Sequence, residues 1–164
     1  MPGPSAVGRE EISGRDLFVV DAPSLADTFP LPSASRYFVC LLAWDATSAN
    51  DTDIALLAQK LLVCGCAYIL CWGPDCERVH DVFDAEEASQ RPDRPFAIST
   101  WHNDETFADV LWQALFTAFP DDAYEEECRS TVCLAIGAPT WAAQAREAFL
   151  DPAAFSAQQL NEPI

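Results

Sequence analysis

Basic side chains are scarce in this chain: Lys and Arg number 9 against 26 Asp and Glu, for a formal net charge of −17. Phosphate backbones and anionic headgroups are held by clustered cations, so the balance argues against nucleic acid and membrane surfaces as partners. It points instead to a basic protein partner or to colloidal solubility. Long apolar runs are missing too. The longest, Leu61 to Trp72, is broken by Gly65 and falls short of the roughly 18 residues a membrane span requires. The first fifteen residues mix Pro, Gly and charges, without the apolar stretch of a secretory signal. No loop follows a glycine-rich phosphate-cradling pattern, and Asp45-Ala46-Thr47 offers one carboxylate without the second that an aspartyl phosphotransfer site needs. Closely paired zinc ligands are absent as well: Cys64-Gly65-Cys66 and the spacing of Cys71 to Cys76 do not supply them. His80 and Asp84, beside Glu77 and Asp81, read as a solvated acidic helix face. No metal and no cofactor is expected.

What the chain does contain is core. Half of its 164 residues are hydrophobic, enough for one sizeable buried interior, and residues 16–150 are read as a single domain with residues 1–15 and 151–164 as loosely ordered tails. Of seven cysteines, an odd number, Cys40, Cys71 and Cys133 sit in apolar runs where a thiol is a small buried hydrophobe. That pattern suits a reducing cytoplasm.

Four short, nearly continuous apolar stretches, Tyr37 to Trp44, Ala67 to Trp72, Phe96 to Trp101 and Thr131 to Ile136, predict strands buried on both faces. Asp16 to Ala22 adds a fifth, edge strand. Segments of helical length lie between and after them: Asp53 to Val63, Asp75 to Ser89, Asp104 to Phe119 and Trp141 to Leu150. Asp51 or Thr52, Asp75, Asn103 and Thr140 are placed to cap them, and Gly65 to end the first. Alternating strands and helices predict an α/β fold: a mainly parallel sheet of four or five strands flanked by helices in a Rossmann-like or flavodoxin-like three-layer sandwich. The third helix is apolar nearly all round, through Val110, Leu111, Trp112, Leu115 and Phe116. Residues 104–119 are therefore either deeply buried or the contact of a homo-oligomer.

In an open parallel sheet the loops leaving the carboxyl ends of the strands converge on one edge, where such folds place ligands. That edge gathers Trp44, Asp45, Trp72, Asp75, Cys76, Trp101, His102, Glu105 and Trp141. The tryptophans either form a pocket floor or partner surface or act as lids that seal the core. His102 is expected close to Asp45 or Asp75. It is then either a general base oriented by that carboxylate or a histidine that caps the next helix. Cys76 begins a helix, where amide dipoles favour a thiolate nucleophile; the alternative is an inert, half-buried thiol. Asp121, Asp122, Glu125, Glu126 and Glu127 place five carboxylates in seven residues. That loop is either simply solvated or fitted to a basic groove on another protein.

Two functions compete, beside a third reading in which the domain only scaffolds a larger assembly through the apolar third helix. One is a non-catalytic interaction module, an immunity or antitoxin-type partner of a basic protein. The other is a small enzyme or ligand sensor built on His102, Asp75, Asp45 and Cys76.

Cys66-Ala67-Tyr68, Trp72-Gly73-Pro74-Asp75-Cys76, Ser99-Thr100-Trp101-His102-Asn103-Asp104-Glu105 and Trp112 together resemble a bacterial family of domains of unknown function with the pattern WGxDC followed by TTWHxDE and an aromatic-rich helix. The likeness covers about residues 37–137. Ser99 stands where that pattern has its first Thr, and Glu77-Arg78-Val79-His80 stands where it is richer in Ser and Trp. The resemblance implies a bacterial, cytoplasmic α/β domain and carries no activity with it.

Overall fold

The computed structural model describes residues 5–33, 35–90 and 95–161. One sheet of six strands organises them: β1 (Gly8–Glu10), β2 (Arg15–Ala22), β3 (Tyr37–Trp44), β4 (Cys66–Trp72), β5 (Ile98–Trp101) and β6 (Cys128–Ile136). Five α-helices accompany them: α1 (Asp51–Cys64), α2 (Cys76–Gln90), α3 (Phe107–Phe116), α4 (Pro139–Leu150) and α5 (Pro152–Asn161). The spatial order is β1-β2-β6-β3-β4-β5, parallel except for the antiparallel β1–β2 pair. The sheet is thus larger than the four or five strands expected. Its five parallel strands, renumbered along the chain, run 1-5-2-3-4, unlike the 3-2-1-4-5-6 of the Rossmann order or the 2-1-3-4-5 of the flavodoxin order.

The apolar strands explain the layers. Along β3, Phe38, Cys40, Leu42 and Trp44 point to one face, where they pack with Ile54, Leu57 and Leu61 of α1 and Val79 and Phe83 of α2. Val39, Leu41 and Ala43 point to the other face and meet Val110, Leu111 and Leu115 of α3 and Ala142, Ala145 and Phe149 of α4. A strand with both faces covered loses the apolar–polar alternation, hence the unbroken runs. The chain steps outward from β3 to β5 with α1 and α2 on one face. It then returns across the other face through α3 and inserts β6 between β2 and β3. Among the described residues, no helix is long and apolar enough to cross a membrane.

Local boundaries follow their own chemistry. Asn50, rather than Asp51 or Thr52, caps α1 by accepting from the Asp53 amide at 2.8 Å. Gly65 ends that helix at φ 107°, as its lack of a Cβ permits. α3 begins three residues later than Asp104 because Thr106 and Asp109 form a reciprocal capping box. Pro139 opens α4 without a capping side chain.

Both segments read as tails contain regular structure. β1 pairs with β2, and α5 lies on α3: the Trp112 indole donates to Ser156 Oγ at 3.0 Å and Gln159 Nε2 donates to Asp109 Oδ1 at 2.7 Å. The apolar girth of α3 therefore packs against the sheet on one side and against this chain's own α5 on another. The outermost residues of those tails, 1–4 and 162–164, lie outside the described residues.

Candidate functional site

Trp44, Trp72, Trp101 and the first turns of α1, α2, α3 and α4 stand together at the carboxyl edge of the sheet. Its tightest point is Gly73. An added Cβ there would lie 2.3 Å from the Trp44 carbonyl oxygen, and φ is 117°; only glycine combines that approach with that backbone. The Ala46 amide donates to the Pro74 carbonyl at 3.1 Å and so ties the two loops. Asp75 follows at φ 68°, the one non-glycine residue with positive φ among the described residues.

Asp75 pairs with Arg78 rather than with His102. Its carboxylate accepts from Arg78 Nε at 2.8 Å, while the same guanidinium reaches Asp51 at 2.9 Å and the carbonyls of Ala46 and Ala49 at 2.7 and 2.9 Å. Arg78, absent from the expected site, is the pin that holds the 45–50 and 73–75 loops. The Asp75-x-x-Arg78 spacing is its sequence signal. Asp45 is exposed and turned on its own loop, where it accepts from the Thr47 amide and hydroxyl at 3.1 and 2.7 Å; these bonds hold its pKa below the ordinary value.

The carboxylate that orients His102 is Glu105. His102 Nδ1 stands 2.8 Å from Glu105 Oε1, and Nε2 stands 2.8 Å from Thr100 Oγ1. Since the Glu105 carboxylate accepts, Nδ1 carries the proton, and in the neutral ring Nε2 then accepts from the Thr100 hydroxyl. The chain extends at both ends: Gln113 Nε2 donates to Glu105 Oε2, and the Thr100 side chain hydrogen-bonds the Tyr68 phenol, whose pKa burial raises. The Trp72 indole donates to the Glu105 carbonyl at 2.8 Å, which fixes the loop from below. Tyr68 and Trp72 alternate along β4, and Thr100 pairs beside Leu70 between them, so the period of two puts all three on the α3 face. Tyr68, Thr100 and Gln113 were not anticipated, because the strand neighbours of Thr100 are set by the order of β4 and β5.

Cys76 lies deep. It is buried, its thiol donates to Asn103 Oδ1 at 3.1 Å, and its pKa is raised. Burial is the main cause; amides of His102 and of Cys76 itself work against it, and the Glu77 and Asp75 charges add to the rise. A thiol held protonated is a poor nucleophile at neutral pH.

The tryptophans divide. Trp44 is buried in the α1–α2 layer. Trp72, Phe107 and Trp141 stack on one another, with ring centroids 4.7 Å apart for Trp72–Phe107 and for Trp72–Trp141. They fill the space between the first turns of α3 and α4. Trp101 faces the opposite way, 45% exposed, against the His80 ring at 4.5 Å. His80 itself lies between Asp81 and Asp84, at 3.0 and 3.4 Å. Among the described residues no group of three or more His, Cys, Asp or Glu is placed to hold a metal ion.

The acidic loop sits at the other end of the molecule. It precedes β6 and so lies at the amino edge, where Asp121, Asp122, Glu125, Glu126 and Glu127 are all exposed. Tyr124, buried at the loop's centre, donates its hydroxyl to the Pro95 carbonyl at 2.7 Å and packs edge-on against Tyr37. Asp121 caps the short turn by accepting from the Ala123 amide at 2.9 Å, and Glu127 pairs with Arg36 at 3.3 Å. The acidic loop and the aromatic edge therefore lie at opposite ends of the sheet.

No curated protein and no solved structure matches the chain. A family model does, over residues 20–152, from the last three residues of β2 through α4. The chain belongs to that family, a domain of unknown function (DUF7684).

Proposed function

We propose that the chain is a non-catalytic protein-interaction module, of the immunity or antitoxin type, that engages a basic partner through residues 121–127. The observation that carries this reading is the Tyr124 anchor. A loop that only needed solvating its charges would not require a buried tyrosine and an aspartate cap to hold its shape, whereas a preorganised acidic surface loses less entropy when it meets cations. The carboxyl edge offers little in competition: Asp75 is tied to Arg78, Cys76 is buried and held as a thiol, and three aromatic rings occupy the space between α3 and α4.

Asp122→Asn/Glu125→Gln/Glu126→Gln tests it, leaving the Asp121 cap and the Glu127–Arg36 pair in place. Wild type retains a stoichiometric basic protein at low salt and loses it at about 0.5 M salt, where surface charges are screened. The triple variant loses that protein at low salt. Equal retention by wild type and variant would sink the proposal.

A second reading rests on the order hydroxyl, imidazole, carboxylate in Thr100, His102 and Glu105. This is the arrangement of nucleophilic acyl transfer: the Thr100 oxygen attacks an ester carbonyl, its proton passes to His102 Nε2 and on to the alcohol that leaves as the ester C–O bond breaks, and water deprotonated by the same nitrogen then releases the acid from the acyl-Thr100 ester. Hydrolysis of small activated esters by wild type, abolished in Thr100→Val, favours it. Turnover that survives the substitution removes it.

A further inference from the structure

A cleft of about 300 Å³ lies between α1 and the segment that follows β2, with Leu25, Phe29, Leu56 and Leu57 as its apolar lining. Two charged side chains, Asp53 and Lys60, complete that lining. Asp53, Leu56 and Lys60 stand at i, i+3 and i+7, so they form one line along the flank of α1, beside the Ile54, Leu57 and Leu61 stripe that packs on the sheet. Two helical turns separate the acid from the base, about 10 Å along the axis. Between them Leu56 is 50% exposed.

Both charges are free of partners of opposite sign. The Asp53 carboxylate and the Lys60 ammonium form no ion pair and no side-chain hydrogen bond among the described residues; Asp53 contributes only its backbone amide, to the Asn50 cap, and Lys60 stands over the Phe29 ring, 5.6 Å from its centroid. Lys60 is the only lysine in the chain, and carboxylates are abundant at 26, yet it meets an aromatic face. The helix dipole favours Asp53 in the first turn of α1, but Lys60 lies outside the last turn and gains nothing from it. Asp27, on the opposite wall, is not part of the lining and accepts from the Ser24 hydroxyl at 2.7 Å.

We infer that this cleft binds a small zwitterion: an apolar body carrying an ammonium group that pairs with Asp53 and a carboxylate that pairs with Lys60. The body covers Leu25, Phe29, Leu56 and Leu57, whose burial supplies the apolar share of the binding. Both ends are read. A fatty acid would bring its carboxylate into a cleft that also holds Asp53, and an alkylamine would bring its ammonium into one that also holds Lys60; only a ligand with both charges, about 10 Å apart, satisfies both. An extended peptide of three residues with free termini has that reach, at about 3.3–3.6 Å per residue, and so does an ω-amino acid of similar length. The cleft shares no residue with the 121–127 loop or with Thr100, His102 and Glu105, so the inference stands apart from both readings above.

Isothermal titration of the full chain with two probes tests it: the tripeptide Ala-Leu-Ala and ω-aminooctanoate, each also with its amine acetylated or its carboxylate amidated. We expect saturable one-to-one binding with a dissociation constant below about 1 mM for at least one free zwitterion, and the tighter probe tells whether the body is peptide or alkyl chain. Each cap weakens binding about fivefold, the upper end for one partly exposed ion pair. Asp53→Asn and Lys60→Gln change side chains that hold nothing else in place and keep the wild-type circular dichroism. Asp53→Asn abolishes the effect of acetylation and leaves that of amidation, while Lys60→Gln does the reverse, as direct pairwise contacts require. Absence of saturable binding by either zwitterion up to about 10 mM overturns the inference. So does equal binding of capped and free probes, or a loss on capping that is the same in wild type and in both variants.

Discussion

Gly73 shows what a single missing Cβ can decide. Gly73→Ala forces a methyl group against the Trp44 carbonyl, 2.3 Å away in the native backbone, at a φ that L residues rarely adopt. We expect a loss of about 2–4 kcal/mol, read as a lowered denaturation midpoint; an unchanged midpoint would refute the close approach. The cysteines divide just as sharply. Cys64 is exposed and the other six are buried, with burial pushing Cys133 up to about 12. A thiol reagent at neutral pH titrates one fast group in native protein and the rest only on unfolding; rapid labelling of Cys76 would contradict its burial. Glu10 carries a pH signature. Burial raises its pKa, yet the hydrogen bonds from Ser13 and Ile12 and the Arg15 charge leave it lowered overall. Its contribution is therefore fully present above the ordinary carboxylate range and fades as pH falls through the depressed folded value. Glu10→Gln should destabilise the protein at neutral pH by about 1 kcal/mol, and the gap from wild type should narrow in acid; a gap independent of pH would count against those bonds.

Among the elements, α5 has the most to reveal about α3. The apolar girth of α3 is legible in Val110, Leu111, Leu115 and Phe116, but no sequence pattern says which segment covers its outer side. α5 is short, with Pro152 its only buried residue, and its hold on α3 comes from Trp112–Ser156 and Asp109–Gln159. Removing residues 152–164 exposes Trp112. We expect a red shift of tryptophan emission and a loss of roughly 1–3 kcal/mol of stability; emission identical to that of wild type would mean that α5 does not cover α3. β5 teaches the converse. Its residues Ser99 and Trp101 face α2 while Thr100 faces α3, and this alternation, visible in the sequence as Ser-Thr-Trp, separates the Trp101–His80 contact from the Thr100–His102–Glu105 chain.

Over the whole molecule the charge acts as a field. With 26 acidic against 9 basic residues, the native state carries repulsion that the expanded chain relieves. Thermal stability should rise as salt goes from about 10 mM to about 0.5 M, as the screening length falls below the spacing of surface charges; a midpoint that falls with salt would show that ion pairs such as Arg78 with Asp51 and Asp75 dominate instead.

Composition and period settled the fold class, the buried faces of β3, β4 and β6, the Gly65 helix end and the identity of the carboxyl edge, because burial on two faces and capping are local demands that each segment states for itself. The number of strands escaped that reading, since β1 is three residues long and gains its standing only by pairing with β2. So did the partner of His102: Asp45 or Asp75 was expected, and Glu105, three residues along the chain, was not. Only the tertiary arrangement, in which Arg78 takes Asp75, Thr47 takes Asp45 and the 102–106 loop folds Glu105 back onto the ring, decided among them. Side-chain pairing depends on how loops cross in space, and a single sequence states the donors and acceptors without stating the crossings.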